Sequence, residues 1–318
     1  MLPWGDWMSK GRFRPEPPWS WWAPPWRPPA RSPDTILGGQ AARYALGAAV
    51  LGALARGRLP RPRRSEILRL LALAATGLAG FNVFLIAALR EADAGSVGMI
   101  IGCVPLVLAV VGPGLEGRAP SRRVVAAAVV VSAGAAFVQW SGGSMSAMGL
   151  ALVMGALVCE AAFSLLAVPL LATLGPVGVS TYACAAAAAM LLAGAVGVYG
   201  LDAFRLPTQS EAAAFGYLAL VVTAFAFVLW YSGVRRLGVE RAGLFAGLVP
   251  VAALVTSGAV GAGALTLPRL AGAVAVGAGV VLGMKRSGEQ LATVPTSPAS
   301  KPLVARLAQR GANTDLIK

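Results

Sequence analysis

From residue 36 to residue 284 the chain is a series of apolar stretches separated by short polar links. A helix that crosses a bilayer needs about 20 mostly apolar residues. Nine stretches have that character, at 36–55, 68–89, 95–115, 122–140, 147–168, 177–200, 212–234, 241–262 and 267–284. The pattern predicts an all-α integral membrane protein with about nine transmembrane helices. The two ends depart from it. Residues 1–34 crowd Trp and Pro together, as in "PEPPWSWWAPPWRPPARSP", and each internal Pro removes a donor and clashes with the preceding turn. That segment is expected to be a Pro-stiffened disordered tail or a Trp/Arg interfacial anchor. It lacks the uninterrupted apolar core of a signal peptide. Residues 285–318 are polar and are expected to form a disordered cytoplasmic tail.

Composition sharpens this picture. Apolar residues make up 57% of the chain and charged residues 13%, and the mean hydropathy is +0.71. Soluble domains carry about 45–50% and about 25%. A soluble enzyme, a disordered protein and a fibrous protein are excluded. Histidine is absent, which removes Ser-His-Asp catalysis and His-ligated zinc. Cys103, Cys159 and Cys184 lie in apolar runs without a CxxC spacing, so they fit small core residues rather than a metal site or disulfides. No GxxxxGK[ST] phosphate loop occurs. No cofactor and no metal are expected. An integral-membrane enzyme would need clustered His, Asp or Ser at one membrane face, and no such cluster is present.

The net charge of +14 is distributed unevenly. Alternate links carry Arg56, Arg58, Arg61, Arg63, Arg64 and Arg69, then Arg118, Arg122 and Arg123, then Arg235, Arg236 and Arg241, then Lys285 and Arg286. The remaining links carry only Arg90, Arg205 and Arg269. Positive loops face the cytoplasm. The expected orientation has the C-terminus inside and, for nine spans, the N-terminus outside. A run such as "RGRLPRPRRSEILR" between two spans fits a cytoplasmic loop better than a nucleic-acid patch.

The chain also repeats itself. An offset of 145 residues aligns 84–138 with 229–283 without a gap, and 13 of the 55 positions are identical. The shared pattern is GxxxGxxP: Gly98, Gly102 and Pro105 in the third span, Gly243, Gly247 and Pro250 in the eighth. Two glycines four apart share one helix face, where another backbone can approach closely. The Pro that follows loosens the helix. Under this offset spans one to four pair with spans six to nine, five spans apart, so paired helices cross in opposite directions. Inverted repeats of this kind belong to secondary transporters, which bind substrate between the halves. The repeats are expected at 35–140 with four helices and 147–284 with five. The counterpart of the fifth span falls at 2–23, which is too polar and Pro-rich to cross.

These features resemble the EamA-type family of the drug/metabolite transporter superfamily. "ARYALGAAVLGAL" is similar to that family's second helix. "LREADAGSVGMIIGCVPLVLAVV" and "VRRLGVERAGLFAGLVPVAALVTS" are similar to its fourth and ninth helices with their preceding loops. The resemblance covers about 35–284 and implies a 5+5 inverted repeat whose first helix is missing here. It implies a carrier of the bacterial inner membrane that exports a small metabolite, amino acid or drug-like solute by alternating access, with the bilayer, the solute and protons as partners. The alternative is a transport-inactive membrane protein, or an assembly partner that completes itself as a homodimer.

Two charged residues lie inside spans. Glu160 is costly there unless it faces protein or water. It fits a proton-coupling group, and equally a carboxylate paired with an Arg or Ser. Arg43 fits a partner for a substrate carboxylate, a partner for Glu160, or a snorkelling side chain. By the resemblance, Asn82, Tyr182, Trp230 and Tyr231 lie on helices that line a cavity and could orient an amphiphilic solute. Gln139 and Trp140 end the fourth span as an interfacial belt.

Overall fold

The structure is a computed structural model that describes residues 34–140, 143–199, 208–259 and 265–285. The expectations for residues 1–33 and 286–318 lie outside the described residues. Within them the chain is helical throughout its ordered elements, with one isolated bridge between Ala92 and Met145 and no strand. Eight helices are long and apolar enough to cross a membrane. They are α2 (Arg64–Glu91), α3 (Ala94–Leu115), α4 (Arg122–Gln139), α5 (Ala147–Leu165), α6 (Val168–Tyr199), α7 (Ala212–Leu237), α8 (Val239–Ala259) and α9 (Leu267–Met284). The ninth stretch, α1 (Asp34–Leu54), is a helix of 21 residues whose Gln40 and Arg43 dilute its apolarity. It stands outside the eight, although its length would carry it across.

Several helices are irregular, and the irregularities recur at the 145-residue offset. A π-helical segment occupies Ala74–Gly80 in α2 and another Leu218–Phe225 in α7. In each, a threonine hydroxyl donates to a backbone carbonyl at or just before the widened coil. Thr76 donates to the carbonyl of Ala72 at 2.7 Å, and Thr223 donates to that of Leu218 at 2.9 Å. α3 breaks at Gly102–Cys103, and α8 tightens into a 3-10 turn at Phe245–Gly247. Both breaks lie just before a buried Pro, Pro105 or Pro250, whose missing N–H leaves a carbonyl of the preceding turn without its donor. The bend of α6 has a different origin. Gly175 adopts φ 66°, a left-handed conformation that glycine takes without a Cβ clash, and Pro176 follows it.

Packing follows the same relationship. α1 lies along α6 and against the π segment of α7, while α6 lies against the π segment of α2. The glycines permit these approaches. A Cβ at Gly47 would stand 3.2 Å from Cγ2 of Thr223, and one at Gly77 would stand 2.7 Å from Cβ of Phe163 on α5. α4 and α9 cross at Gly134 and Gly272, where a Cβ on either would fall within 2.7 Å of the other's carbonyl oxygen. The main core runs through Tyr44 of α1, Leu73 and Leu78 of α2, Leu157 of α5, Val179 and Cys184 of α6 and Tyr231 of α7.

The basic links come together at one end of the bundle. Tyr182 ties α6 to Pro60, Arg235 lies beside Gly175, Arg118 meets Glu240, and Arg123 donates to the carbonyl of Leu282. The opposite end holds Glu91 with Ser146, and Arg269 with the carbonyl of exposed Trp140.

Candidate functional site

A polar group sits between α1, α2 and α7. Arg43 is half-buried and its Nε donates to Oγ1 of Thr223 at 2.7 Å, across 180 residues of sequence. One turn back along α1, Gln40 accepts from the same guanidinium at 3.3 Å. The guanidinium carbon stands 5.2 Å from the ring centre of Tyr44, a cation–π contact. The Tyr44 hydroxyl is buried and accepts from Nδ2 of Asn82 at 2.9 Å, while that same amide donates to the carbonyl of Leu78 at 2.7 Å. The Leu78 carbonyl belongs to the π segment, so Asn82 fixes both the widened helix and the tyrosine.

Glu160 approaches from α5. It is partly buried and makes no hydrogen bond or ion pair among the described residues. It lies within electrostatic range of Tyr44 and Tyr231, as Arg43 does of Tyr44 and Cys184. Arg43, Tyr44 and Asn82 thus form one connected group, with Glu160 within electrostatic range of its tyrosine. Arg43 and Glu160 do not pair. The cation is held by two neutral oxygens, so its charge is solvated without being cancelled.

The other sequence candidates separate. Tyr231 is fully buried and donates to the carbonyl of Phe163 at 3.1 Å, with the two rings 5.0 Å apart. Trp230 donates from Nε1 to the buried Ser164 hydroxyl at 3.1 Å. Both join α7 to α5 and stand next to the polar group. Tyr182 lies elsewhere: its hydroxyl donates to the carbonyl of Pro60 in the link before α2, at the basic end of the bundle. Thr223, Tyr44 and Gln40 were not singled out in the sequence. Thr223 did carry a signal, as the lone polar side chain in "LALVVTAF".

The GxxxGxxP helices pack differently at their two ends. Gly98 and Gly102 face α4: a Cβ at Gly98 would run into the Gln139 amide, and one at Gly102 would stand 3.1 Å from Cβ of Ala135. Gly243 faces Leu108 of α3 at 2.9 Å, and Gly247 faces Val131 of α4. At the basic end the second half of α3 is folded onto the first half of α8. Gly112 receives Val239, whose Cγ1 would lie 2.6 Å from an added Cβ. The Arg118 guanidinium bridges Glu116 at 2.6 Å and Glu240 at 3.7 Å across the seam.

The sequence profile of the EamA-like transporter family matches residues 39–140 and 147–284, well over half of the chain. "Uncharacterized transporter YetK" of Bacillus subtilis (strain 168) is 24% identical over 207 residues, a match spanning 63% of this chain and 63% of that protein. One solved crystal structure superposes with a TM-score of 0.66 at 21% identity, covering 80% of this chain and 88% of the other, which establishes a shared fold. Together with the eight apolar helices, the two-segment match makes the chain a multi-pass membrane protein that belongs to the EamA-like transporter family.

Proposed function

We propose that this protein is a secondary transporter that exports a small polar or amphiphilic solute by alternating access. The asymmetry of α3 and α8 carries this reading. Two helices with matching breaks and a buried Pro each are packed together at the basic end, while Val249, the counterpart of buried Val104, is 69% exposed. A structure closed at the basic end and unclosed at the far end is one of the two states such a cycle requires. The second state would pack 94–101 against 248–259 and release Gly112 from Val239. Between the two ends lies the polar group of Arg43, Tyr44, Asn82 and Glu160. In this reading Arg43 attracts an anionic group of the solute and Glu160 exchanges the coupling proton.

The test is a reversible lock. Gly112→Cys with Val239→Cys is introduced into a background in which Cys103, Cys159 and Cys184 are Ala. Oxidation should hold the basic end shut and stop counterflow in proteoliposomes screened with labelled amino acids. Reduction should restore it. Counterflow that continues in the fully cross-linked protein would end the alternating-access reading.

A second reading follows from exposure on α7. Gly80 and Phe84 of α2 pack against α5, at Cys159 and Gly155. Their counterparts at the 145-residue offset, Phe225 and Leu229, are 65% and 62% exposed. In this reading the protein is an assembly partner that covers this face with a second copy. A monomer that transports in nanodiscs would remove it.

A further inference from the structure

We propose that the link before α2, together with the end of α7, forms a binding face for anionic phospholipid headgroups, centred on Arg58, Arg61 and Arg64. The link is pinned in place. The Arg63 backbone N–H donates to Oε2 of Glu66 at 2.7 Å, and the Thr173 hydroxyl of α6 donates to Oε1 at 2.7 Å. Pro60 is held by Tyr182 and packs beside Gly178. Glu66 is the one acid of this segment, and it is buried with both carboxylate oxygens engaged. The other described acids at this end, Glu116 and Glu240, are taken up by Arg118.

Arg58, Arg61 and Arg64 are exposed and lack an acidic partner among the described residues. Arg235 extends the charge from α7, beside the bend at Gly175. A guanidinium presents paired donors that fit phosphate oxygens, and each basic side chain at an anionic surface adds attraction. The ligand is an amphiphile because apolar surface begins where the charge ends. Leu54 at the end of α1 is 71% exposed and Leu68 in the first turns of α2 is 72% exposed. A free phosphate would satisfy the arginines and leave these leucines uncovered, whereas a phospholipid meets both.

The experiment uses the full chain, purified and delipidated in detergent. Short-chain phosphatidylglycerol, phosphatidylcholine or inorganic phosphate is then added, and bound lipid is counted by native mass spectrometry. Phosphatidylglycerol should be retained, phosphatidylcholine should not, and inorganic phosphate should fail to displace the lipid. R58Q with R61Q should weaken retention roughly thirtyfold, as expected for two surface charges. R122Q with R123Q removes the same charge at the start of α4 and should change it less than about twofold. Equal loss in both variants would reduce the effect to overall charge and overturn the proposal. So would displacement by inorganic phosphate, or equal retention of phosphatidylcholine. If R58Q with R61Q fails to fold, added salt is the second measurement on the unaltered chain. Release of phosphatidylglycerol supports the face, and retention unaffected by salt overturns it.

Discussion

Val104 and Val249 are the same residue 145 positions apart, just before the matching prolines, yet Val104 is 2% exposed and Val249 is 69% exposed. Sequence cannot distinguish them, because both precede a Pro in the same GxxxGxxP pattern. Val104 is buried in the main core, and Val249 is exposed. Within a bilayer the gain from burial is close packing rather than escape from water. Val104→Ala should therefore open a small cavity and lower stability by on the order of 1 kcal/mol. Val249→Ala should leave the melting curve in detergent within error. Equal shifts would contradict the asymmetry.

The glycine contacts set a second expectation. Gly102→Leu and Gly247→Leu drive side chains into Ala135 and Val131, with overpacking that costs roughly 1–3 kcal/mol or more. Both variants should lose folded protein, as seen by gel filtration. Gly197→Leu in α6 meets open space and should be recovered at the level of the unaltered chain.

The polar group can be tested by a thermodynamic cycle. Thr223→Val removes the hydroxyl that receives Arg43 and should destabilise by about 1.5–3 kcal/mol, the range for a hydrogen bond to a charged group. Arg43→Ala and Glu160→Gln should combine additively, because the two side chains do not pair. A coupling energy well above about 0.5 kcal/mol would show an interaction that this state lacks. Functionally, Glu160→Gln should abolish pH-gradient-driven efflux while leaving expression unchanged. Undiminished gradient-driven transport would leave Glu160 as structural.

The seam between α3 and α8 has a polar clasp. Arg118 and Glu240 are separated by 3.7 Å at the edge of the bundle, where an ion pair is worth about 0.2–1 kcal/mol. Glu240→Gln should barely move the melting temperature. It should nevertheless raise the alkylation rate of a cysteine placed at position 112, because weakening the clasp favours opening of this end. An unchanged rate would place the closing force wholly in the apolar seam.

The sequence reveals the spans, the offset, the small-residue faces and the gathering of basic links, because lipid crossing imposes length and apolarity on every segment. α1 marks the limit of that signal: Gln40 and Arg43 weaken its apolarity, yet they are the residues that build the polar group. The π segments are invisible to hydropathy, since widening a turn leaves composition unchanged. The Arg43–Thr223 contact joins residues from different halves, which local pattern cannot link. The bond from Tyr182 to the carbonyl of Pro60 is likewise beyond local pattern, since it joins residues 122 positions apart.

The widened turns also change how polar residues within such a membrane helix are interpreted. A π turn shifts the backbone ladder by one residue and loosens the pairing of its carbonyls. In a hydrocarbon environment an unpaired carbonyl costs several kcal/mol, and no water is available to fill it. Thr76, Asn82 and Thr223 donate to backbone oxygens within their own helices. Their first duty is thus to keep an irregular backbone soluble in lipid. Of the three, Asn82 and Thr223 retain a contact beyond their own helix, with Tyr44 and Arg43 respectively. Counting hydroxyls and amides along a span would overstate the path open to a solute, and backbone upkeep has to be subtracted first.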